Sequence, residues 1–298
     1  MRIENQRGLA IVFVLTVVSL MSLMAASFSL STKRETTVIN YSLDRSKARA
    51  LTQGGINYAM LMLGLSDIKK RWIGDGRIYK WNARGKTVFI KIFDESGKID
   101  INGAQAPTLK TLFSLVFGQD FPVDRLVDSI LDWRDEDEIK RPSGGEADDY
   151  KNAGLVYKPQ NRNFSIIEEL KSVIGIQVDQ FKRLEPWLTV YSGQDGINPA
   201  KCTREQLIQL SNGNVTIVDN YLTQRTTDPT VFFPTIPGLN FQNASDQAYT
   251  IFASTINGGG NSMTEIQAVL RRSQNQDGGL FTIVKWKESS LPITKLEP

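Results

Sequence analysis

The sequence GLAIVFVLTVVSLMSLMAASFSLST, residues 8–32, contains no charged side chain. About 20 helical residues cross the hydrocarbon core of a bilayer, so this run is long enough to span it. A secretory signal peptide has an apolar region of only about 7–15 residues, and MAAS, residues 24–27, is a weak cleavage motif. Arg2 and Arg7 precede the run and Lys33 and Arg34 follow it, so local charge does not decide the orientation. The run is therefore predicted to be a retained membrane anchor.

The helical pattern continues beyond the apolar run. Small and apolar residues recur at three- and four-residue steps, at Ala48, Leu51, Gly55, Tyr58 or Ala59, and Met62. This spacing predicts one helix from about Leu9 to about Leu63, whose second half lays one apolar stripe on the rest of the protein. The alternative is two helices with a break near Ser31.

The composition excludes several classes of function. Lys and Arg (35) nearly balance Asp and Glu (32), and the formal charge of +3 gives no reason to expect binding to nucleic acid. Histidine, the commonest general base, is absent, so an enzyme is not expected. The single cysteine, Cys202, is predicted to be a buried apolar side chain.

The remaining periodicity predicts strands at both ends of a helical segment. KTVFIKIFDESGKIDING (86–103) alternates, breaks at DESG and resumes, which predicts a hairpin. Strands are expected in QAYTIFASTING (247–258) and LFTIVKWKES (280–289), while TEIQAVLRRS (264–273) fits a strand or a short helix. Between them an all-α segment from about Pro107 to Trp187 is predicted, with helices in LKTLFSLVF (109–117), VDRLVDSILDWRDED (123–137), SIIEELKSVIG (165–175) and VDQFKRLEPWL (178–188).

An acidic cluster is the best candidate for a site. Eight carboxylates flank the turn RPSGG (141–145): Asp132, Asp135, Glu136, Asp137, Glu138, Glu146, Asp148 and Asp149. Ca²⁺ takes six to eight oxygen ligands, so such a cluster is able to hold it. The spacing is not that of an EF-hand, and acidic runs are commonly solvated surfaces. From the residues alone, both interpretations stay open.

The start of the chain resembles a known signal. NQRG (5–8) followed at once by the apolar helix is similar to the class III signal of type IV pilins and type II secretion pseudopilins. The resemblance implies that a prepilin peptidase cuts after Gly8, that Leu9 becomes the N-terminus, and that the chain is methylated. Most pilins have Glu at the fifth mature position, where this chain has Phe13. A subunit with Phe13 cannot pair a carboxylate with a neighbour's amino terminus, which fits a filament tip.

The order of several further motifs narrows the resemblance. DINGA, LVDSILDWRDEDE, GGEADDY, FSIIEELKSVIGI and FKRLEPWLTVYSGQDGINPA are similar to the type II secretion minor pseudopilin K family. The resemblance implies an α+β fold, in which a long N-terminal helix packs on an antiparallel sheet that carries a large inserted all-α domain. It also implies Ca²⁺ in the acidic region, with the candidate ligands Asp132, Asp135, Asp137, Glu146, Asp148 and Asp149.

These expectations divide the chain into five parts. They are a leader (1–8), a transmembrane and filament-core half-helix (9–32), an amphipathic helix with the first strands (33–106), the helical insertion (107–190), and a second helical segment with the last strands (191–298).

The implied function is that of a minor pseudopilin at the tip of a periplasmic pseudopilus. Such a subunit is anchored in the bacterial inner membrane with its N-terminus in the cytoplasm. The implied partners are other minor pseudopilins, the prepilin peptidase and the inner-membrane secretion platform, without nucleic acid. The alternatives are a membrane-anchored periplasmic binding or enzymatic domain, and a minor pilin of a type IV pilus.

Overall fold

The N-terminal helix is continuous. The computed structural model describes residues 6–228, 230–243, 246–258, 262–273 and 279–292, so residues 1–5 of the predicted leader lie outside it. Helix α1 (Gln6–Leu63) has 58 residues, about 87 Å at 1.5 Å per residue. Residues 9–43 are all exposed. The alternative with a break near Ser31 is therefore wrong, and the apolar half of α1 projects away from the folded part of the chain.

The second half of α1 packs on a sheet through a stripe that differs slightly from the predicted one. The buried members are Ala48, Thr52, Gly55, Ile56, Ala59 and Leu63, whereas Leu51 and Met62 are only half-buried. A Cβ added at Gly55 would lie 2.8 Å from Val88 Cγ1 and 3.4 Å from Ala253 Cβ. The close approach at Gly55 therefore fixes which face of α1 lies on the sheet.

The sheet has five antiparallel strands. In chain order the strands of the protein are β1 (Asp75–Ala83), β2 (Lys86–Asp94), β3 (Ile99–Asp100), β4 (Leu188–Thr189), β5 (Ala248–Ile256), β6 (Ser262–Arg272) and β7 (Phe281–Pro292). The spatial order is β1-β2-β5-β6-β7, while β3 and β4 form a separate parallel pair. The strands expected at 247–258 and 280–289 are confirmed, and 264–273 is a strand, not a helix.

The predicted hairpin across DESG is wrong. Strand β2 ends at Asp94, a 3₁₀ helix follows at Glu95–Gly97, and β3 then pairs with β4 instead of β2. The actual hairpin joins β1 and β2 through Arg84 and Gly85, whose φ values are 51° and 75°. A two-residue loop with both φ values positive matches the twist of a hairpin. The alternation on both sides of Asp94 gave no sign that the chain leaves the sheet there.

A helical insertion lies between β2 and β5. It contains α2 (Ala106–Phe117), α3 (Val123–Arg134), α4 (Ala147–Asn152), α5 (Val178–Leu184), α6 (Arg204–Leu210) and α7 (Val215–Thr227). The helix predicted over 165–175 is a 3₁₀ helix, Ile167–Ser172. One hydrophobic core joins Leu188 and Val190 to Ile197 and Leu207, so it crosses the division expected at 190/191. A second core lies between α1 and the sheet.

Two buried carboxylates join the insertion to the sheet. Glu95 is 2% exposed. Its Oε1 accepts a hydrogen bond from Thr250 Oγ1 of β5 (2.7 Å), and its Oε2 accepts one from Thr189 Oγ1 of β4 (2.5 Å). Lys98 Nζ lies 2.9 Å from Oε1 and supplies the opposite charge. Glu95 therefore connects the two sheets directly.

Asp94 binds the segment through which the chain returns from the insertion to the sheet. Its Oδ1 accepts hydrogen bonds from the backbone and hydroxyl of Ser96. Its Oδ2 accepts one from Asp246 N (3.0 Å), at the point where the chain returns to β5, and lies 3.7 Å from Lys201 Nζ. Burial raises the pKa of Asp94, and Lys201 and these hydrogen bonds oppose that rise.

Replacement of Glu95 by Ala should destabilise the protein. The change leaves Lys98, Thr189 and Thr250 without their shared buried partner, and removing one member of a buried pair costs about 3–5 kcal/mol. We expect a lower midpoint in urea unfolding of the full chain, followed by circular dichroism. The exposed Glu185, changed to Ala, is the matched control, and equal stability of the two variants would contradict the assigned role.

Candidate functional site

The first candidate site is the free half of α1. One 18-residue window has a mean hydropathy of 2.6 and none of it is buried within the protein. Leu9 is 76% and Phe13 70% exposed, and Gly8 lies in the first turns of the helix. Apolar side chains exposed over this length need lipid or other helices around them. This half of α1 fits a single-pass membrane anchor.

The second candidate site is the acidic loop that folds over the end of α3. Asp132 is fully buried. Arg141 Nη1 donates to Asp132 Oδ1 (2.7 Å), and Arg141 N donates to Asp132 Oδ2 (3.2 Å). The same guanidinium nitrogen donates to Asp135 Oδ2. A Cβ at Gly144 would lie 1.9 Å from Asp132 Oδ2, so only glycine permits the loop to approach so closely.

Glu146 lies in the same field of negative charge. It is 8% exposed, and its Oε1 has no hydrogen-bond partner among the described residues. Burial, followed by the charges of Asp132 and Asp135, raises the pKa of Glu146 to about 7. The Oδ1 of Asp135 is also buried without a partner in the described part of the chain. Asp132, Asp135 and Glu146 are therefore the buried or half-buried predicted ligands of this cluster, and the charge of the exposed Asp137 also raises the pKa of Glu146.

The other three predicted ligands make separate contacts or face solvent. Asp137 accepts a hydrogen bond from Ile139 N (2.7 Å), and Asp148 is exposed. Asp149 lies 2.6 Å from Lys140 Nζ and accepts from Glu146 N (3.0 Å), which lowers its pKa. The contacts of Asp149 fix the start of α4.

The arrangement carries cations of its own. Within the described ranges, no group of three or more His, Cys, Asp or Glu side chains has the geometry of a metal site. The guanidinium of Arg141 lies between Asp132 and Asp135. The sequence prediction overlooked Arg141. The positions of Lys140 and Arg141 within the acidic run already indicated that basic side chains pair with these carboxylates. Calcium binding here stays a prediction.

The fold and the exposed helix define the class of protein to which this architecture belongs. A long N-terminal helix, half free and half packed on an antiparallel sheet, with helices inserted between the strands, is a pilin-like α+β architecture. Residues 92–193 match the family model described as type II secretion system (T2SS), protein K.

Two curated relatives carry the same description. Type II secretion system protein K of Dickeya chrysanthemi is 32% identical over 77 residues, which cover 26% of this chain and 21% of that protein. Type II secretion system protein K of Pectobacterium carotovorum subsp. carotovorum is 34% identical over 65 residues, which cover 22% and 20%. The matched segments thus span about a fifth of the length of these relatives.

A solved structure matches over a longer range. It is the GspK–GspI–GspJ complex of the type 2 secretion system of enterotoxigenic Escherichia coli. The match has a TM-score of 0.58 and 14% identity, and it covers 83% of this chain and 98% of the matched one. At this identity the match shows the fold. Together with the family-model match, it confirms the resemblance to type II secretion protein K and the predicted α+β fold class.

Replacement of Glu146 by Gln should flatten the pH dependence of stability. Because the folded pKa is about 7 against an ordinary value of 4.5, the folded state binds more protons than the unfolded state between these values, and stability falls as pH rises through this window. We expect the variant and the unchanged protein to be equally stable near pH 4, and the variant to be more stable above pH 7, by on the order of 2–3 kcal/mol.

Urea unfolding across this pH range, in the presence of a chelator, measures the difference. Asp148→Asn removes a nearby exposed carboxylate and serves as the control. A constant difference between Glu146→Gln and the unchanged protein at every pH would contradict the raised pKa.

Proposed function

We propose that this chain is a minor pseudopilin of a type II secretion system, anchored in the inner membrane and later built into the tip of a periplasmic pseudopilus. There it initiates assembly and helps to export folded proteins across the outer membrane. The observation that carries the proposal is the fully exposed apolar half of α1, joined to an insertion that matches the secretion protein K model. The role is structural, not catalytic.

The proposed orientation places the N-terminus in the cytoplasm and the sheet and insertion in the periplasm. In this orientation a prepilin peptidase reaches Gly8 on the cytoplasmic face, and Leu9 becomes the new N-terminus. The side chains that follow, exposed from Leu9 onward, are then surrounded first by lipid and afterwards by the helices of other subunits.

Phe13 supports a position at the tip. A buried carboxylate at this position would need the amino terminus of a neighbour as its partner. Phe13 has no charge and needs no such partner. The described residues of the insertion form the six α-helices α2 to α7 beside the sheet, and a domain of this size would clash with a subunit above it. The proposed partners are other minor pseudopilins, the peptidase and the inner-membrane platform, and the solved complex of GspK, GspI and GspJ gives the first of these a precedent.

We also propose that the acidic loop binds Ca²⁺ through carboxylates of the set Asp132, Asp135, Asp137, Glu146, Asp148 and Asp149. These side chains would move together on binding, because no group of three in the described ranges already has the geometry of a metal site. The buried oxygens Asp135 Oδ1 and Glu146 Oε1 have no hydrogen-bond partner within the described ranges, and carboxylate oxygens are the ligands that Ca²⁺ prefers. The pKa of Glu146, raised to about 7 by burial and by the neighbouring carboxylates, supports this proposal. A bound ion would supply positive charge to these groups and hold the loop against α3.

Replacement of Gly8 by Val should block removal of the leader without unfolding the outer domain, because the site lies far from both hydrophobic cores. We expect a mass larger by residues 1–8 in the membrane-extracted variant, and a native circular dichroism spectrum. Phe13→Leu, inside the same exposed segment, should be processed normally.

Normal processing of the Gly8→Val chain, or a cut near Ala26, would contradict the proposal and favour an anchored binding domain. Immunogold labelling of the unchanged protein should mark filament ends. Labels spread along the shafts would contradict the tip position.

Ca²⁺ should raise the stability of the unchanged protein. At a hundredfold excess over Kd, one site adds about 2.7 kcal/mol. Asp135→Asn should remove most of this gain, because a carbonyl oxygen is a weaker ligand and the site loses charge, whereas the exposed Asp148→Asn should keep it. Thermal unfolding with Ca²⁺ and with chelator measures the effect. A melting temperature indifferent to both would leave only an acidic surface.

A further inference from the structure

The hairpin of β1 and β2 carries positive charge only. Residues 76–93 contain no carboxylate and five basic residues: Arg77, Lys80, Arg84, Lys86 and Lys91. Arg77 Nη2 lies 2.6 Å from Asp75 Oδ2, whereas the other four make no ion pair with any described residue. Lys80, Arg84 and Lys91 are exposed. A surface of one sign without counter-charges attracts a partner of the opposite sign.

Strand β1 lies at one edge of the sheet, with β2 as its neighbour. The turn Arg84–Gly85 has two residues with positive φ values, so the pair of residues that closes it exchanges hydrogen bonds, and every second pair beyond it does the same. The residues between these pairs, Ile78, Lys80 and Asn82, therefore direct their N–H and C=O groups away from β2. Among the described residues, no donor or acceptor meets these backbone groups. An edge of this kind is a template for a further strand.

One face of β1 is aromatic. Tyr79 and Trp81 pack against the core between α1 and the sheet. Trp81 stacks on Tyr58 of α1, at 5.3 Å between ring centroids, and Tyr79 stacks on Trp72 at 4.1 Å. All four rings are half-buried. A strand added at this edge would place every second side chain beside these rings, so apolar side chains fit there.

The opposite face of β1 is basic. Lys80 Nζ lies 5.9 Å from the ring centroid of Phe89, and Lys91 Nζ lies 5.4 Å from that of Phe93. Lys91 is opposite Ile78 in the register of the hairpin, so both ammonium groups lie on the same face. The remaining side chains of an added strand would lie on this face. Carboxylates at these positions would meet the two ammonium groups.

We propose that the edge of β1 binds an extended segment of another protein in which acidic and apolar residues alternate. The backbone of this segment pairs with the outward groups of Ile78, Lys80 and Asn82, as in the addition of a peptide strand to a sheet. Its carboxylates face Lys80 and Lys91, and its apolar side chains pack beside Trp81. The proposal goes beyond the proposed function and does not rest on it.

The same strand of a second copy is a poor occupant of this edge. Pairing of β1 with β1 would bring Lys80 and Arg84 close to the basic side chains of the copy, and like charges opposite each other on neighbouring strands are destabilising. The other edge strand, β7, contains Glu288 beside its lysines, so its charge is mixed. The charge of β1 therefore selects an acidic partner.

The backbone amide of Lys80 reports the pairing directly. The full chain, labelled with ¹⁵N-lysine in a neutral detergent, is titrated with the peptide Glu-Val-Glu-Val-Glu-Val-Glu, blocked at both ends. A peptide concentration of about 5 mM detects a Kd of about 1 mM. Lys80→Gln identifies the signal by its loss. We expect the acidic peptide to shift Lys80 and to leave Lys285 of β7 unmoved, and the peptide Lys-Val-Lys-Val-Lys-Val-Lys to shift neither.

Two controls test the pairing of the backbone. The acidic peptide with an N-methylated backbone keeps its charge but cannot donate hydrogen bonds, and it should not shift Lys80. Asn82→Pro removes one outward N–H and should weaken the affinity about tenfold, whereas Asn82→Ala keeps this N–H and the affinity. The methylated peptide tests strand pairing on the unchanged protein, whatever the effect of Asn82→Pro on folding.

A matched pair of variants tests the charge. Lys91→Gln should weaken the affinity about threefold, because it removes one exposed ion pair with the peptide. Lys158→Gln removes the same charge from an exposed position in the insertion and should leave the affinity unchanged.

Three results would overturn the proposal. A Lys80 amide that the acidic peptide does not move would show that the cations only protect the edge from pairing. Equal binding of the methylated peptide would show attraction by charge without an added strand. Equal weakening by Lys91→Gln and Lys158→Gln would show binding spread over the whole surface.

Discussion

The buried carboxylates of Asp94 and Glu95 hold the two hydrophobic cores in one arrangement. The insertion leaves the sheet at Asp94 and returns at Asp246, and hydrogen bonds from Thr189, Thr250 and Asp246 N end on these two side chains. Charges buried this deeply are tolerated only when they are paired and hydrogen-bonded, so the sheet and the insertion must meet in this geometry. Ion pairs of Arg225 with Asp75 (3.2 Å) and of Lys285 with Glu168 (2.5 Å) add further contacts between the insertion and the sheet.

The fold class could be predicted from the sequence because its strongest signals are periodic. The length of α1 follows from the uncharged run and the stripe beyond it, and β5 and β7 follow from alternation. The false hairpin shows the limit of this reasoning. Alternation stops at DESG and resumes at Ile99, which is the pattern of a hairpin. Asp94 and Glu95 instead bind groups far along the chain, and pairing over such distances leaves no local pattern. The Arg84–Gly85 turn was visible in the sequence and marked the true hairpin.

The acidic cluster could be recognised in the sequence, but the burial and the contacts of its individual carboxylates could not. Spacing along the chain gave six equivalent carboxylates, whereas the structure separates them by burial. Asp132 and Glu146 lie inside, Asp149 serves the start of α4, and Asp148 faces solvent. Arg141 offsets part of the inner charge, yet Glu146 keeps a raised pKa. Burial and the neighbouring carboxylates thus outweigh the one guanidinium in setting the pKa of Glu146.

The continuity of α1 links the membrane to this outer architecture. Because the helix has no break between its exposed half and the half held on β2, β5 and β6, any axial movement of the apolar segment moves the sheet with it. Gly55 places α1 against Val88 and Ala253 without room for a shift in rotation. The junction at Asp94 and Glu95 then transmits the movement to the insertion. A subunit drawn out of the bilayer by its helix would thus carry the insertion outward as one body.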